Sequence, residues 1–331
     1  MLQTLLAVSA IVPSVLLVWY FHARDVYPEP ARMIWTTFGL GVLTVLPVLL
    51  IGIPIHQVVG HIERPVVASA CEALFVAAML EEFFKLVVLV LYSMRKQEFD
   101  EPMDGIVYGV VVSLGFATFE NLLYVMDGGT SVAFSRAFSA VPLHAFLGAI
   151  MGYYVGQAWK NPGRRRGLLL RGYASAVLLH AIYDFPLMTM NALGDKGPQL
   201  LLALATLGVL AVSWRWAMRL TRGLRQEQLG QRAMVAARGR ADAVPESLAG
   251  SRVMPVIQIS LAVLSASLGG TVALGLLLAF ILGVVAAEDI TDVLLGGALV
   301  GLLPLVVGGL LFRHGVRALN KRVVALAGNQ F

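Results

Sequence analysis

Apolar runs of about twenty residues, separated by short polar or proline-containing joints, recur along the whole chain. A run of ~20 apolar residues covers the ~30 Å hydrocarbon layer of a bilayer as a helix, which satisfies every backbone group internally. The pattern predicts about nine such helices, at residues 2–21, 33–55, 71–92 (with an interfacial lead-in from Pro65), 105–126, 134–158, 168–190, 200–216, 255–286 and 293–312. The eighth is overlong and is expected to tilt or break near Gly269 and Gly270. The expected fold is therefore an all-α, polytopic helical membrane protein.

Composition agrees. Of 331 residues, 58% are hydrophobic and 14% charged, against about 25% charged in a soluble domain. A soluble globular enzyme, a disordered chain and a nucleic-acid-binding domain are excluded. The single cysteine, Cys71, excludes a disulfide scaffold and a cysteine-rich metal site. The net charge of +5 reads as basic loops on the cytoplasmic side. Lys160, Arg164, Arg165 and Arg166 follow the fifth predicted helix. Arg219, Arg222, Arg225, Arg232, Arg238 and Arg240 follow the seventh, and Arg313, Arg317, Lys321 and Arg322 follow the ninth. The alternate loops carry Asp195 with Lys196, and Glu288, Asp289 and Asp292. This asymmetry puts the C-terminus in the cytoplasm and the N-terminus outside. The first helix lacks a basic lead and is too long for a signal peptide's apolar region, so it is read as a retained span. Residues 1–64 are expected to form a two-helix segment, 65–218 a core, 219–253 a basic cytoplasmic connector that touches anionic lipid, and 254–331 a C-terminal two-helix segment.

Ionisable residues inside the middle four helices change the picture from a membrane protein to a membrane protein with a site. The third helix carries Glu81, Glu82 and Lys85, the fourth Glu120, the fifth His144, and the sixth His180 and Asp184. Each charge at mid-membrane costs ~2.5–3.5 kcal/mol, so the five charged ones together cost on the order of 12–18 kcal/mol unless they meet in a wet interior. Helical spacing supports a meeting. Glu81 with Lys85, Glu120 with Tyr124, and His180 with Asp184 are each one turn apart. At ~1.5 Å per residue, Glu81, Glu120, His144 and His180 all fall roughly 9–13 Å below the outer face. A poorly solvated glutamate acts as a general base toward water, and histidines donate to a developing oxyanion. Alternatively, glutamate, histidine and aspartate ligate zinc and leave a position open for water. Both routes end in hydrolysis. Plainer roles are assigned elsewhere: Asp104 caps the fourth helix, Gly105, Gly109 and Gly115 permit close packing, and Arg136, Arg171 and Arg215 snorkel at span ends.

Four motifs in order resemble the PrsW family of intramembrane proteases, relatives of the CAAX prenyl protease and Abi superfamily. They are EEFFK (Glu81, Glu82, Lys85), DGIVYGVVVSLGFATFENLLY (Asp104 to Tyr124, with Glu120), the single His144, and HAIYD (His180, Asp184). The resemblance spans Glu81 to Asp184, roughly a third of the chain. It implies a four-helix catalytic core in which Glu81 or Glu82 activates water. Glu120, His144 and His180 would bind a metal or stabilise the tetrahedral intermediate, with Asp184, Lys85 and Tyr124 beside them. It implies site-1 cleavage of a single-pass, anti-sigma-factor-like substrate near the extracytoplasmic face of a bacterial inner membrane, with or without zinc. Lys85 and Asp184 stand where the Abi branch has arginine and asparagine, which argues against a prenylated substrate. The competing readings are a proton-coupled transporter and a non-catalytic membrane scaffold. A transporter predicts ionisable groups at several depths and internal repeats; here the groups share one layer, and no repeat is evident.

Overall fold

The computed structural model describes residues 2–194 and 197–239, and among these every regular element is helical. The eighth and ninth predicted helices, the end of the connector and the C-terminal basic cluster lie outside the described residues. Helix α1 is Leu2–His22, α2 Ala31–Leu43, α3 Val45–Val59 and α4 Pro65–Cys71. A π-helical turn, Glu72–Ala78, joins α4 to α5, Met79–Leu91. Then come α6 (Pro102–Phe138), α7 (Ala140–Lys160), α8 (Arg165–Leu193) and α9 (Gln199–Gly239). Among the described residues, five stretches are long and apolar enough to cross a membrane: Ala31–Val59, Pro102–Tyr124, Ser131–Lys160, Pro162–Leu193 and Gln199–Ala236. The sequence pattern divides the chain at nearly the same places. Three elements differ: the second predicted helix is interrupted at Thr44, the gap predicted between the fourth and fifth helices lies inside α6, which runs to Phe138, and the seventh continues as α9 through most of the basic connector.

Helices α6 and α7 form the centre, and glycine is the reason they can. Gly105 faces Gly152 and Gly156, and Gly109 faces Gly148, so closely that an added Cβ would strike the opposite backbone. Small residues let two helices approach to backbone contact, where dispersion and polar contacts take over from a hydrophobic drive that lipid does not supply. Gly41 of α2 meets Val112, and Gly115 meets Phe38, which seats α2 on the other side of α6. Ile106, Val107, Val110, Leu114, Leu147, Ile150, Met151 and Val155 fill the interior. Glu101 and Asp104 cap α6 reciprocally, and Pro102 opens it. The outer surfaces carry Leu46, Leu50, Ile53, Leu170, Leu178, Leu200 and Leu204. Glutamates inside and leucines outside suit a protein whose solvent is lipid.

Helix α6 is not a straight rod. On one, Glu120 and Arg136 would lie ~24 Å apart along the axis, yet their side chains meet at 2.8 Å. The chain therefore folds back between Glu120 and Arg136. The fold-back returns Arg136 to the level of Glu120.

Candidate active site

Four elements supply the site. Helix α5 begins directly after the π-turn and turns Glu81, Glu82 and Lys85 inward, all buried. π-turns recur at functional sites because the added residue re-aims the side chains that follow. Helix α6 supplies Glu120 and, after its fold-back, Arg136. Helix α7 supplies His144, and α8 supplies His180 with Asp184 one turn on.

Lys85 is at the middle. Its Nζ donates to Glu82 Oε1 at 2.8 Å and Glu81 Oε2 at 3.3 Å, and lies 3.1 Å from His144 Nδ1. It also sits 4.3 Å from the centre of the Phe116 ring, which closes one side. An ammonium group has no acceptor, so His144 Nδ1 accepts and the ring's proton is on Nε2. That Nε2–H donates to Glu120 Oε2 at 3.0 Å. The same oxygen meets Arg136 Nη2 at 2.8 Å. Arg136 is held in turn by Asn121 Oδ1, 3.1 Å from its Nε, and lies 3.9 Å from the centre of the Tyr124 ring.

On the other side, Glu82 Oε1 is 3.0 Å from His180 Nδ1. His180 Nε2 faces Asp184 Oδ2 at 3.2 Å and Glu81 Oε2 at 3.9 Å. Every carboxylate here thus meets a lysine, an arginine or an imidazole. A cavity of about 160 Å³ opens beside these groups and is lined by Glu120, Arg136, His144, His180, Asp184 and Ser139, among others. It has room for water.

All eight site residues named from the sequence motifs converge here, with different neighbours in one case. Tyr124 does not bond Glu120; it stacks under Arg136. Arg136 was expected to snorkel and instead lines the cavity, because the fold-back carries it inward. Two signals in the sequence point to it. Arg136 is the only lysine or arginine between Lys96 and Lys160, and a Gly-Gly pair separates it from Glu120. Cys71 ends α4 and is not part of the site.

Among the described residues, Glu81, Glu82, His144 and His180 each offer one ligand atom within 4.8 Å of the others. Two imidazoles with carboxylates are a zinc-type donor set. Tetrahedral zinc holds neighbouring ligand atoms roughly 3.3 Å apart, close to the 3.2 Å and 3.9 Å between His180 Nε2 and its two carboxylate neighbours. One oxygen of Glu82, Oε2, is buried without a hydrogen-bond partner. The residues therefore fit a metal in type and spacing. Lys85 stands among Glu81, Glu82 and His144. Glu120, expected beside His144 and His180 as a ligand, is outside this group of four and pairs with Arg136.

The chain matches the model of the PrsW family of intramembrane metalloproteases over residues 29–215, which contain every residue of this site. It is similar to proteins named Protease PrsW in several bacteria. It shares 40% identity over 187 residues with that of Geobacillus kaustophilus, covering 56% of this chain and 81% of the relative. The Bacillus subtilis protein is 38% identical over 185 residues, covering 55% and 83%, and the Clostridioides difficile protein 31% over 190 residues, covering 54% and 77%. No solved structure matches significantly.

Proposed function

The chain belongs to the PrsW family of intramembrane proteases, and from that premise we propose that it hydrolyses a peptide bond of a single-pass membrane protein at the cavity beside Glu81, His180 and Asp184. The observation that carries the reading is the convergence of two glutamates and two histidines, all buried, within 4.8 Å of one another beside a cavity of about 160 Å³.

The two glutamates divide the work. Glu82 is fully buried and committed to Lys85 and His180, so it orients rather than reacts. It fixes the His180 ring through Nδ1 and leaves Nε2 for the reaction, as carboxylates behind reactive imidazoles do. Glu81 is 7% exposed and is the general base. It takes a proton from water as the water oxygen bonds to the scissile carbonyl carbon. The electron pair of the carbonyl moves onto its oxygen, where His180 Nε2–H donates to the developing charge. Collapse breaks the C–N bond, and Glu81 returns the proton to the leaving nitrogen. A zinc ion held by donors of the group formed by Glu81, Glu82, His144 and His180 would polarise the same carbonyl and acidify the same water. Arg136 holds Glu120 onto His144 Nε2, which fixes the ring at the cavity wall.

The finer reading follows from the sequence. We take α5–α8 as a four-helix catalytic core within residues 65–218, flanked by residues 1–64, by a basic connector at 219–253 and by residues 254–331, with about nine spans in all. The distribution of lysine and arginine supports an external N-terminus and a cytoplasmic C-terminus. The site's calculated depth then favours cleavage toward the extracytoplasmic face, and the family resemblance favours an anti-sigma-factor-like substrate. The test compares protein N-termini, by mass spectrometry, in membranes of cells making the wild type or Glu81→Gln. The proposal expects new N-termini inside single-pass proteins with the wild type alone. Identical sets from both would reject it.

A further inference from the structure

The far end of α6 holds a second group of acids, ~24 Å along the helix from Glu120, that the proteolytic site does not use. The loop between α1 and α2 carries Asp25 and Glu29, and the first turn of α6 carries Asp104. One oxygen from each lies within 4.8 Å of the others. Asp25 and Glu29 are 7% exposed, and Asp104 is fully buried.

Part of each carboxylate has a structural task. Asp104 Oδ2 accepts the backbone N–H groups of Asp100 and Glu101, at 2.7 and 2.8 Å, and so caps α6. Asp25 Oδ1 accepts the Tyr27 N–H at 2.9 Å and the Gln228 amide of α9 at 2.6 Å. Glu29 accepts the hydroxyl of Tyr108. Capping leaves the other half unexplained. Asp25 Oδ2 is buried with no hydrogen-bond partner, and the Asp104 carboxyl lies within hydrogen-bonding reach of the Glu29 carboxyl.

Charge is unexplained as well. Among the described residues, no lysine, arginine or histidine forms an ion pair with Asp25, Glu29, Glu101 or Asp104. Three basic side chains of this end are turned elsewhere, and Lys160 lines the neighbouring cavity without an ion pair to these acids. Arg225 donates to the carbonyl oxygens of Ala23 and Arg24, Arg24 to the Tyr20 hydroxyl, and the His22 ring bonds the Glu29 carbonyl oxygen. The contrast with the proteolytic site, where each acid has its cation, is direct. Buried carboxylates grouped without a positive partner are costly. Such a group either keeps a proton or is balanced by a cation from outside the chain. Carboxylate oxygens alone, without sulfur or imidazole, select hard divalent cations. A neighbouring cavity of about 180 Å³ is lined by Asp100, Glu101 and Gln228, and Gln228 touches Asp25 directly. It provides an approach and room for bound water.

We propose that Asp25, Glu29 and Asp104 bind a hard divalent cation, Ca²⁺ or Mg²⁺, that fastens the α1–α2 loop to the start of α6. The site is separate from proteolysis and stands whether or not the chain cleaves peptides. Protons are the competitor: burial pushes the carboxyls of Asp25 and Glu29 up, and that of Glu101 to about 7.

The test uses the full chain, purified in detergent and stripped with chelator, at pH 7.5. Ca²⁺, Mg²⁺ and Mn²⁺ are titrated separately while the unfolding temperature is followed. Saturation is expected to raise it by roughly 5–10 °C at ~100-fold above Kd. Glu29→Gln and Asp25→Asn should abolish the rise, and Glu81→Gln should keep it. Because variants at this joint can misfold, Tb³⁺ luminescence of the wild type, excited through tyrosine, gives a second measurement. Tyr108, bonded to Glu29, is the expected donor, and Ca²⁺ should quench the signal by displacement. No thermal shift with any of the three cations and no displaceable Tb³⁺ signal would overturn the proposal. So would a shift that survives Glu29→Gln.

Discussion

Replacing Lys85 with methionine separates what holds the proteolytic site together from what performs its chemistry. Methionine keeps the length and apolar volume of lysine and removes only the ammonium group. That group is fully buried, 2.8 Å from Glu82 and 3.3 Å from Glu81. Its loss leaves Glu82, equally buried, with His180 as its one remaining partner. Breaking a buried ion pair from one side costs ~3–5 kcal/mol, because the surviving charge stays out of water. At ~2–4 °C per kcal/mol, the unfolding temperature should fall by roughly 6–20 °C. The assay is thermal unfolding of the purified chain in detergent, repeated for Glu82→Gln and for the double variant. If the cost is an uncompensated charge, Glu82→Gln with Lys85→Met should be more stable than Lys85→Met alone, with a coupling of ~1–3 kcal/mol. Glu81→Gln should unfold near the wild-type temperature and yet be inactive. A Lys85→Met protein as stable as the wild type, or a double variant no better than the single one, would refute the reasoning.

Other consequences are open to the same methods. Arg136→Ala should lower kcat by about 10–100-fold with little change in KM, because Glu120 loses the group that holds it on His144, an effect of the size seen for residues that orient metal or catalytic ligands. Arg136→Lys should recover part of the loss, since a point charge replaces a planar fork. Gly152→Ala puts a methyl group against the backbone of Gly105. The helices must part, at a cost of ~1–3 kcal/mol, and a thermal scan reads it. Chelator-stripped protein should lose stability as pH rises from 5 to 8, because the Glu101 carboxyl, raised to about 7 by burial, binds its proton in the folded state and releases it over that range. Saturating Ca²⁺ should flatten the dependence.

The sequence exposed the site better than it exposed the helices that carry it. Ionisable residues are conspicuous in apolar runs, so Glu81, Glu82, Lys85, Glu120, His144, His180 and Asp184 stood out before any geometry was known. The break at Thr44 did not, because residues 33–55 read as one apolar run. Its cause is local: Pro47 has no N–H for the carbonyl of Leu43, so the helical ladder fails there and restarts as α3. The continuation of α9 to Gly239 was missed for another reason. Hydropathy reports where a helix leaves the membrane, not where it ends, and the stretch 219–239 is rich in arginine, glutamine, leucine and alanine, all good helix formers. Arg136 was misplaced by assuming a straight helix. Only the fold-back between Glu120 and Arg136 brings the two together, and that depends on packing against α7. The acids at the start of α6 were equally hidden. Asp104 was legible as a cap, but its meeting with Asp25 and Glu29 joins positions ~75–80 residues apart, beyond the reach of local pattern.

The central claim is that Glu81, 3.9 Å from His180 Nε2, directs water onto a peptide bond at the cavity that His180 and Asp184 line. Cleavage in proteoliposomes prepared in ¹⁸O-labelled water, with the new C-terminus analysed by mass spectrometry, reads that step directly. The account predicts one ¹⁸O atom in the new carboxylate for the wild type, and no cleaved product from a Glu81→Gln protein that unfolds at the wild-type temperature. Undiminished, labelled product from the Glu81→Gln protein would contradict it.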